Sequence, residues 1–206
     1  MEDIIVVGGG GHAKVVISIL KKLSRLHVVG YTDLQDKGLI LDIPYLGQDS
    51  SLAEFSEMNA VLAVGQVGLG HKREEIWTRI RSQLRGFPSI VSPHAIMNEA
   101  VKLGEGAFVM DGAVMNSGAT SGRGVIVNTS SIIEHDTILE DWVHIAPGAT
   151  ISGGVRIGQY SMIGAAAVVI EGVTVSSDCI VGAGATVIRD LTEPGVYVGS
   201  PARRIR

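Results

Sequence analysis

The sequence predicts an α/β unit followed by an all-β parallel β-helix, on three observations. From Met97 to Val187 an aliphatic side chain recurs at every sixth position, through Leu103, Val109, Met115, Val127, Ile133, Leu139, Ile145 and onward, with Ser121 the one exception. Four residues after each comes a second series that is mostly small, as in Ala107, Ala113, Ala119, Ser131, Ala149, Ser161, Ala167 and Ala185. Ahead of this region, apolar runs alternate with amphipathic stretches, and a glycine cluster joins the first two.

A period of six matches neither the helical repeat nor strand alternation. It fits coils stacked at the strand spacing of about 4.8 Å, three hexapeptides to a triangular turn. The large aliphatic points into the shaft, the small residue fits the corner, and Gly, Asn or Asp takes positions of unusual φ. Sixteen cells make about five coils, on the order of 25 Å tall. A Gly-rich β-sandwich would recur every 8 to 12 residues with irregular turns, which the unbroken register opposes.

In the first unit, Ile4 to Val7 reads as a buried strand. His12 to Arg25 reads as a helix with Val15, Val16, Ile19, Leu20 and Leu23 inward, and Val28 to Thr32 as the second strand. Pro44 to Leu46 forms a short edge, Ser51 with Glu54 resembles a capping box, and Ala60 to Val64 is a further strand. His71 to Arg85 reads as a helix buried through Ile76, Trp77, Ile80 and Leu84. Strands alternating with helices imply a parallel sheet. Gly86, Pro88 and Pro93 punctuate the chain, which places the boundary near residue 90: a first domain over 1–90 and a second over 91–206.

Of 206 residues, 46% are apolar and 27 are glycine, enough for a substantial core. A formal net charge of −4 gives no electrostatic footprint for nucleic acid. The opening residues lack a basic n-region and a cleavage motif, and no apolar run reaches the roughly 18 residues of a membrane span. The expected location is cytoplasmic, without membrane insertion. The lone Cys179 excludes an intrachain disulfide and a multi-cysteine zinc site, and its corner position reads as buried packing. No histidine cluster converges within one chain, so no metal is expected.

Gly8-Gly9-Gly10-Gly11-His12-Ala13 follows the first strand and opens the first helix. Backbone amides at such a loop and the positive helix end favour a diphosphate. Asp33 stands just after the second strand, where an acidic residue takes a ribose hydroxyl. Fewer than 90 residues leave room for one mononucleotide half of a dinucleotide fold, so a nucleotide-linked substrate fits better than NAD. A loop that merely makes a tight turn is the bland alternative. Base-edge contacts are expected from the irregular loop 65–70, which has no readable code.

In the repeat, Ile133-Glu134-His135-Asp136-Thr137 places three titratable side chains together where other cells carry Gly, Ala or Ser. A histidine beside a carboxylate that orients it suits general-base catalysis; a solvated surface pair is the alternative. His144 lies nine positions later, half of an 18-residue coil, on the opposite side of the shaft. If both histidines serve one site, that site lies between neighbouring subunits of a cyclic oligomer.

The register, the Gly-Gly-Gly-Gly-His-Ala-Lys loop, the stretch Asn128 to Asp136 and the ending Gly195 to Ala202 together resemble the bacterial nucleotide-sugar N-acetyltransferases of the hexapeptide-repeat class, the group of UDP-N-acetylbacillosamine N-acetyltransferase. Sialic acid O-acetyltransferases are close relatives. The resemblance covers essentially the whole chain. It implies a Rossmann-like half-domain, a left-handed β-helix, a homotrimer, and acetyl-CoA in the groove between adjacent helices. It implies His135 as general base, Asp136 as its acidic partner, the Gly153 amide at the thioester carbonyl, and His144 as an auxiliary site histidine. Gly8, Gly10, Gly11 and His12 match the diphosphate-facing loop and Asp33 the nucleoside contact. The loop around Gly199 and Pro201, with Arg203 and Arg204 nearby, matches the cover over the CoA end.

The implied reaction is acetyl transfer to the 4-amino group of a nucleotide-linked 4-amino-4,6-dideoxy sugar, UDP-linked first. Sialic acid O-acetylation and a non-catalytic scaffold or sensor are the alternatives. Bacillosamine-type enzymes can carry Glu where this chain has Asp136, and O-acetylating relatives can carry glycine, so an acid here leans toward amine substrates.

Overall fold

The computed structural model describes residues 1–65, 68 and 71–206. They divide into two compact units, with the main division at Pro93/His94.

The first unit is a four-stranded parallel sheet in the order β3-β2-β1-β4. Its strands are β1 (Glu2–Val7), β2 (Leu26–Thr32), β3 (Tyr45–Gly47) and β4 (Asn59–Leu62). Ile4, Ile5, Val6 and Val7 are all buried, as a central parallel strand covered on both faces requires. Between β1 and β2 runs α1 (Gly11–Leu20). Its buried side is Ala13, Val16, Ile17 and Leu20, with Ile19. Val15, expected inward, is 42% exposed, because the i, i+3, i+4, i+7 stripe from Ala13 bypasses it. The helix stops five residues short of Arg25 because β2 already begins at Leu26, and turns closed by Leu23 and Leu26 N–H groups fill the gap.

The expected capping box does not form. Asp49–Phe55 is a 3-10 helix whose N-cap, Gln48, makes no side-chain cap, and Ser51 Oγ donates instead to the Leu46 and Gln48 carbonyls. The second helix, α2 (Lys72–Ile80), gives way to a 3-10 turn at Arg81–Gln83 rather than running to Arg85. Trp77, Ile80 and Leu84 are buried as expected, and Ile76 only half-buried. Of the loop 65–70, residues 66, 67, 69 and 70 lie outside the described residues.

The second unit is a parallel β-helix built from two-residue strands that pair with strands eighteen residues away. One face carries Phe108–Val109, Ile126–Val127, His144–Ile145 and Met162–Ile163. A second carries Ile96–Met97, Val114–Met115, Ile132–Ile133, Thr150–Ile151, Val168–Val169 and Thr186–Val187. The third carries Thr120–Ser121, Ile138–Leu139, Arg156–Ile157 and Thr174–Val175. The aliphatic series stacks inside: Met115, Ile133, Ile151, Val169 and Val187 are each 0% exposed. Such burial contributes about 1.5–3 kcal/mol per side chain. Ser121, the polar exception, is only half-buried.

Every corner is turned by a residue in the left-handed region, and these too recur at six: Gly118 (φ 77°), Gly124 (61°), Ser130 (55°), Asp136 (57°), Trp142 (63°), Gly148 (67°), Gly154 (64°). Asp tolerates that region better than most residues, which lets a carboxylate stand at a corner. No helix among the described residues is long and apolar enough to cross a membrane.

Candidate functional site

His135 and Asp136 form the corner after strand Ile132–Ile133. The coil around them is pinned above and below: Asp136 N donates to Ser117 O at 3.1 Å, and Gly154 N to His135 O at 2.9 Å. Buried Thr137 donates from Oγ1 to Ser152 O at 3.0 Å. With the backbone fixed, His135 Nδ1 lies 3.0 Å from Asp136 Oδ2. Both side chains face solvent.

The imidazole leans over the next coil. A Cβ on Gly153 would fall 2.5 Å from His135 Nε2 and 2.6 Å from Cε1, so the ring occupies space that any other residue would fill. The Gly153 N–H, at the first position of its corner turn, donates to no acceptor among the described residues. Residues 135, 136 and 153 are thus brought together, with Nε2 packed over Gly153 and an open N–H on that same glycine.

The hydrogen bond to Asp136 raises the His135 pKa above 6.5; burial opposes it less strongly, and the charges of Asp136, Glu134 and Glu171 add to the rise. A base works only when neutral, so its activity falls as pH drops through that raised value. Asp136→Asn removes the charge that favours imidazolium. The acidic limb of the kcat/KM profile should therefore move to lower pH, and an unmoved limb would detach Asp136 from the base.

His144 is on a different face of the shaft, in the strand paired with Ile126–Val127 and Met162–Ile163. It is 8% exposed, with Nε2 3.2 Å from Asn128 Nδ2. An amide nitrogen only donates, so in this arrangement His144 accepts at Nε2. Asn128 was not singled out from the sequence; the signal was its place one coil before Ala146, beside the His144 column.

In the first unit the glycine loop follows the central strand, at the point where the strand order reverses from β2 to β4, the usual ligand crevice of such sheets. Gly8 has φ 111° and a Cβ there would touch the Ala63 carbonyl at 3.0 Å. Gly10 caps α1 with extended backbone, Gly11 opens it, and His12 packs its Cβ region near Gly65. Space is open around Gly10 and Gly11. Asp33 Oδ2 accepts from Gly9 N at 2.8 Å and Oδ1 from Gln35 N at 3.2 Å, so it braces the loop.

At the C-terminal end, Gly199 (φ 92°) accepts from Thr186 N at 3.0 Å and Ala202 N donates to Thr186 O at 2.7 Å, which folds Gly199, Ser200 and Pro201 against that strand. Thr186 stands three coils beyond Ile132 on the same face, about 14 Å along the shaft. Arg204 is engaged with Glu193 at 2.9 Å and the Pro194 carbonyl. Cys179 is fully buried, its thiol pushed up by burial and 3.3 Å from the Glu193 carbonyl. A buried, protonated thiol is a poor nucleophile, so Cys179→Ser should keep near-normal turnover in a thiol-release assay. Among the described residues no group of three or more His, Cys, Asp or Glu could hold a metal ion.

Comparison with known proteins decides the family. Residues 3–80 match the family model described as the PglD N-terminal domain. The acetyltransferase domain of PglB from Neisseria gonorrhoeae, solved with acetyl coenzyme A, is 31% identical over 99% of both chains, with a TM-score of 0.93. The chain belongs to the nucleotide-sugar N-acetyltransferases of the hexapeptide-repeat family. Perosamine N-acetyltransferase from Caulobacter crescentus, solved with CoA and GDP-perosamine, is similar to this acetyltransferase at 32% identity, covering 99% of this chain and 97% of that one, TM-score 0.91. WeeI from Acinetobacter baumannii shares the fold, at 21% identity and TM-score 0.83 over the full length of both chains. A search of curated sequences finds no match.

Proposed function

We propose that this acetyltransferase moves acetyl from acetyl-CoA to the 4-amino group of a nucleotide-linked 4-amino-4,6-dideoxy sugar. The observation that carries the reading is the His135–Asp136 pair leaning over Gly153, whose N–H has no acceptor among the described residues. With Nδ1–H donated to Asp136, Nε2 presents a lone pair to the amine. His135 takes the proton as the carbon–nitrogen bond forms, the Gly153 N–H meets the developing oxyanion, and the thiolate of CoA leaves without an acyl-enzyme. The absent side chain at Gly153 is what lets the imidazole sit over this coil. The loop at Gly199 and Pro201, farther along the same face, suits the distal part of CoA.

On this reading the Gly8-to-His12 loop takes the diphosphate of the sugar nucleotide, favoured by the α1 N-terminus, and Asp33 holds that loop in shape while remaining beside the nucleoside. His144, on another face, serves the His135 of a neighbouring subunit in a homotrimer. The face beside His135 favours such packing: Val168, Ile170 and Ile188, on adjacent coils, are 36%, 39% and 48% exposed, and apolar patches mark interaction surfaces. The protein is expected to act in the cytoplasm, where both substrates are made. A thiol-release assay against UDP-, dTDP- and GDP-linked 4-amino sugars tests the reading, with sedimentation for the trimer. CoA release with sialic acid alone, or with no sugar, would overturn it.

A further inference from the structure

Glu134, the first polar residue of the catalytic corner, adds its charge to the field on His135 but makes no contact with substrate in the mechanism above. Its placement is unusual. Glu134 aligns with Asn116 and Asn98 on the two preceding coils. Its Oε2 accepts from Asn116 Nδ2 at 2.9 Å, and Asn116 Oδ1 accepts in turn from Asn98 Nδ2. The amide in the middle has both ends engaged. The carboxylate at the end has one oxygen engaged, and Oε1 accepts no hydrogen bond among the described residues.

We infer that Glu134 is a specificity-determining residue, accepting a hydrogen bond from a hydroxyl on the carbon next to the reacting amine, so that the site selects a vicinal amino alcohol. This rests on the amine-acetylating reading. The geometry supports it in two ways. His135 leans toward the following coil and Glu134 toward the preceding one, so two acceptors are spread along the shaft axis. A second donor, on the ring carbon next to the amine, meets the second acceptor while the amine faces the first. The ladder also holds the carboxylate in one orientation before substrate arrives, which lowers the ordering cost of binding. An ionised carboxylate only accepts, so an analogue lacking the hydroxyl leaves it unpartnered.

The test compares a nucleotide 4-amino sugar bearing the neighbouring 3-hydroxyl with its 3-deoxy analogue. Wild type should prefer the hydroxylated substrate by about 10- to 10²-fold in kcat/KM, the range of a hydrogen bond to a charged group. Glu134→Ala should abolish that preference through KM for the sugar, with KM for acetyl-CoA unchanged. Glu134→Gln, which still accepts, should keep part of it. Asn116→Ala should weaken the preference alone and add nothing in the Glu134→Ala background. Equal use of both sugars by wild type, or a preference that survives in Glu134→Ala while only thermal stability drops, would reduce the ladder to a staple between coils and overturn the inference alone. Failure of wild type to acetylate either sugar would overturn the amine-acetylating reading itself, and the inference with it.

Discussion

His135→Ala is expected to lower kcat for acetyl transfer by about 10²–10⁴-fold, the usual contribution of a positioned base, while CoA affinity stays near wild type. The ring presents Nε2 to the amine, since Nδ1 is committed to Asp136 at 3.0 Å. It is solvent-exposed and supports no buried packing, so the loss should appear without a fall in thermal stability. His135→Asn should behave alike. Thiol-release kinetics with calorimetry of CoA binding separates the two effects, and near-normal turnover would remove the base assignment.

Gly153→Ala is expected to cost about 10²-fold in kcat/KM, because small misplacements of a reacting group are that expensive. The added Cβ would lie 2.5 Å from His135 Nε2. The ring is a movable side-chain end, and Gly153 does not occupy the left-handed region, so the fold accommodates the methyl and the geometry of the base does not. Its neighbour offers the contrast. Gly154 has φ 64°, so Gly154→Ala should lose about 1–2 kcal/mol of stability to backbone strain, with a smaller effect on turnover per folded molecule. Parallel activity and melting measurements on the two variants check the pair; an active Gly153→Ala enzyme would mean that the ring position is not critical.

Much of this architecture was legible from spacing. The αL corners, the stacked aliphatic column and the small corner series all follow from the hexad register, because each coil repeats the same backbone path and each position meets its own kind eighteen residues on. The corner at His135 and Asp136 was legible for the same reason. Helix limits were less so: α1 ends at Leu20 and α2 at Ile80, where the next strand or turn overrode apolar residues that continued the helical pattern. The capping box at Ser51 failed because nearer carbonyls captured the hydroxyl.

Asp33 and Glu134 show what spacing cannot carry. Both were visible as acids in the right places, yet one turned inward to hold Gly9 and the other became the end of an amide ladder. The sequence by itself determined the β-helix, the glycine loop after a central strand, and the corner where the titratable residues stand, since these depend on periodic burial and turn chemistry. Only the tertiary structure decided which way His135 leans, which oxygen of Glu134 remains open, and that Nε2 lies over Gly153. Those choices are rotamers, set by neighbours one coil away that a linear pattern brings into register without orienting.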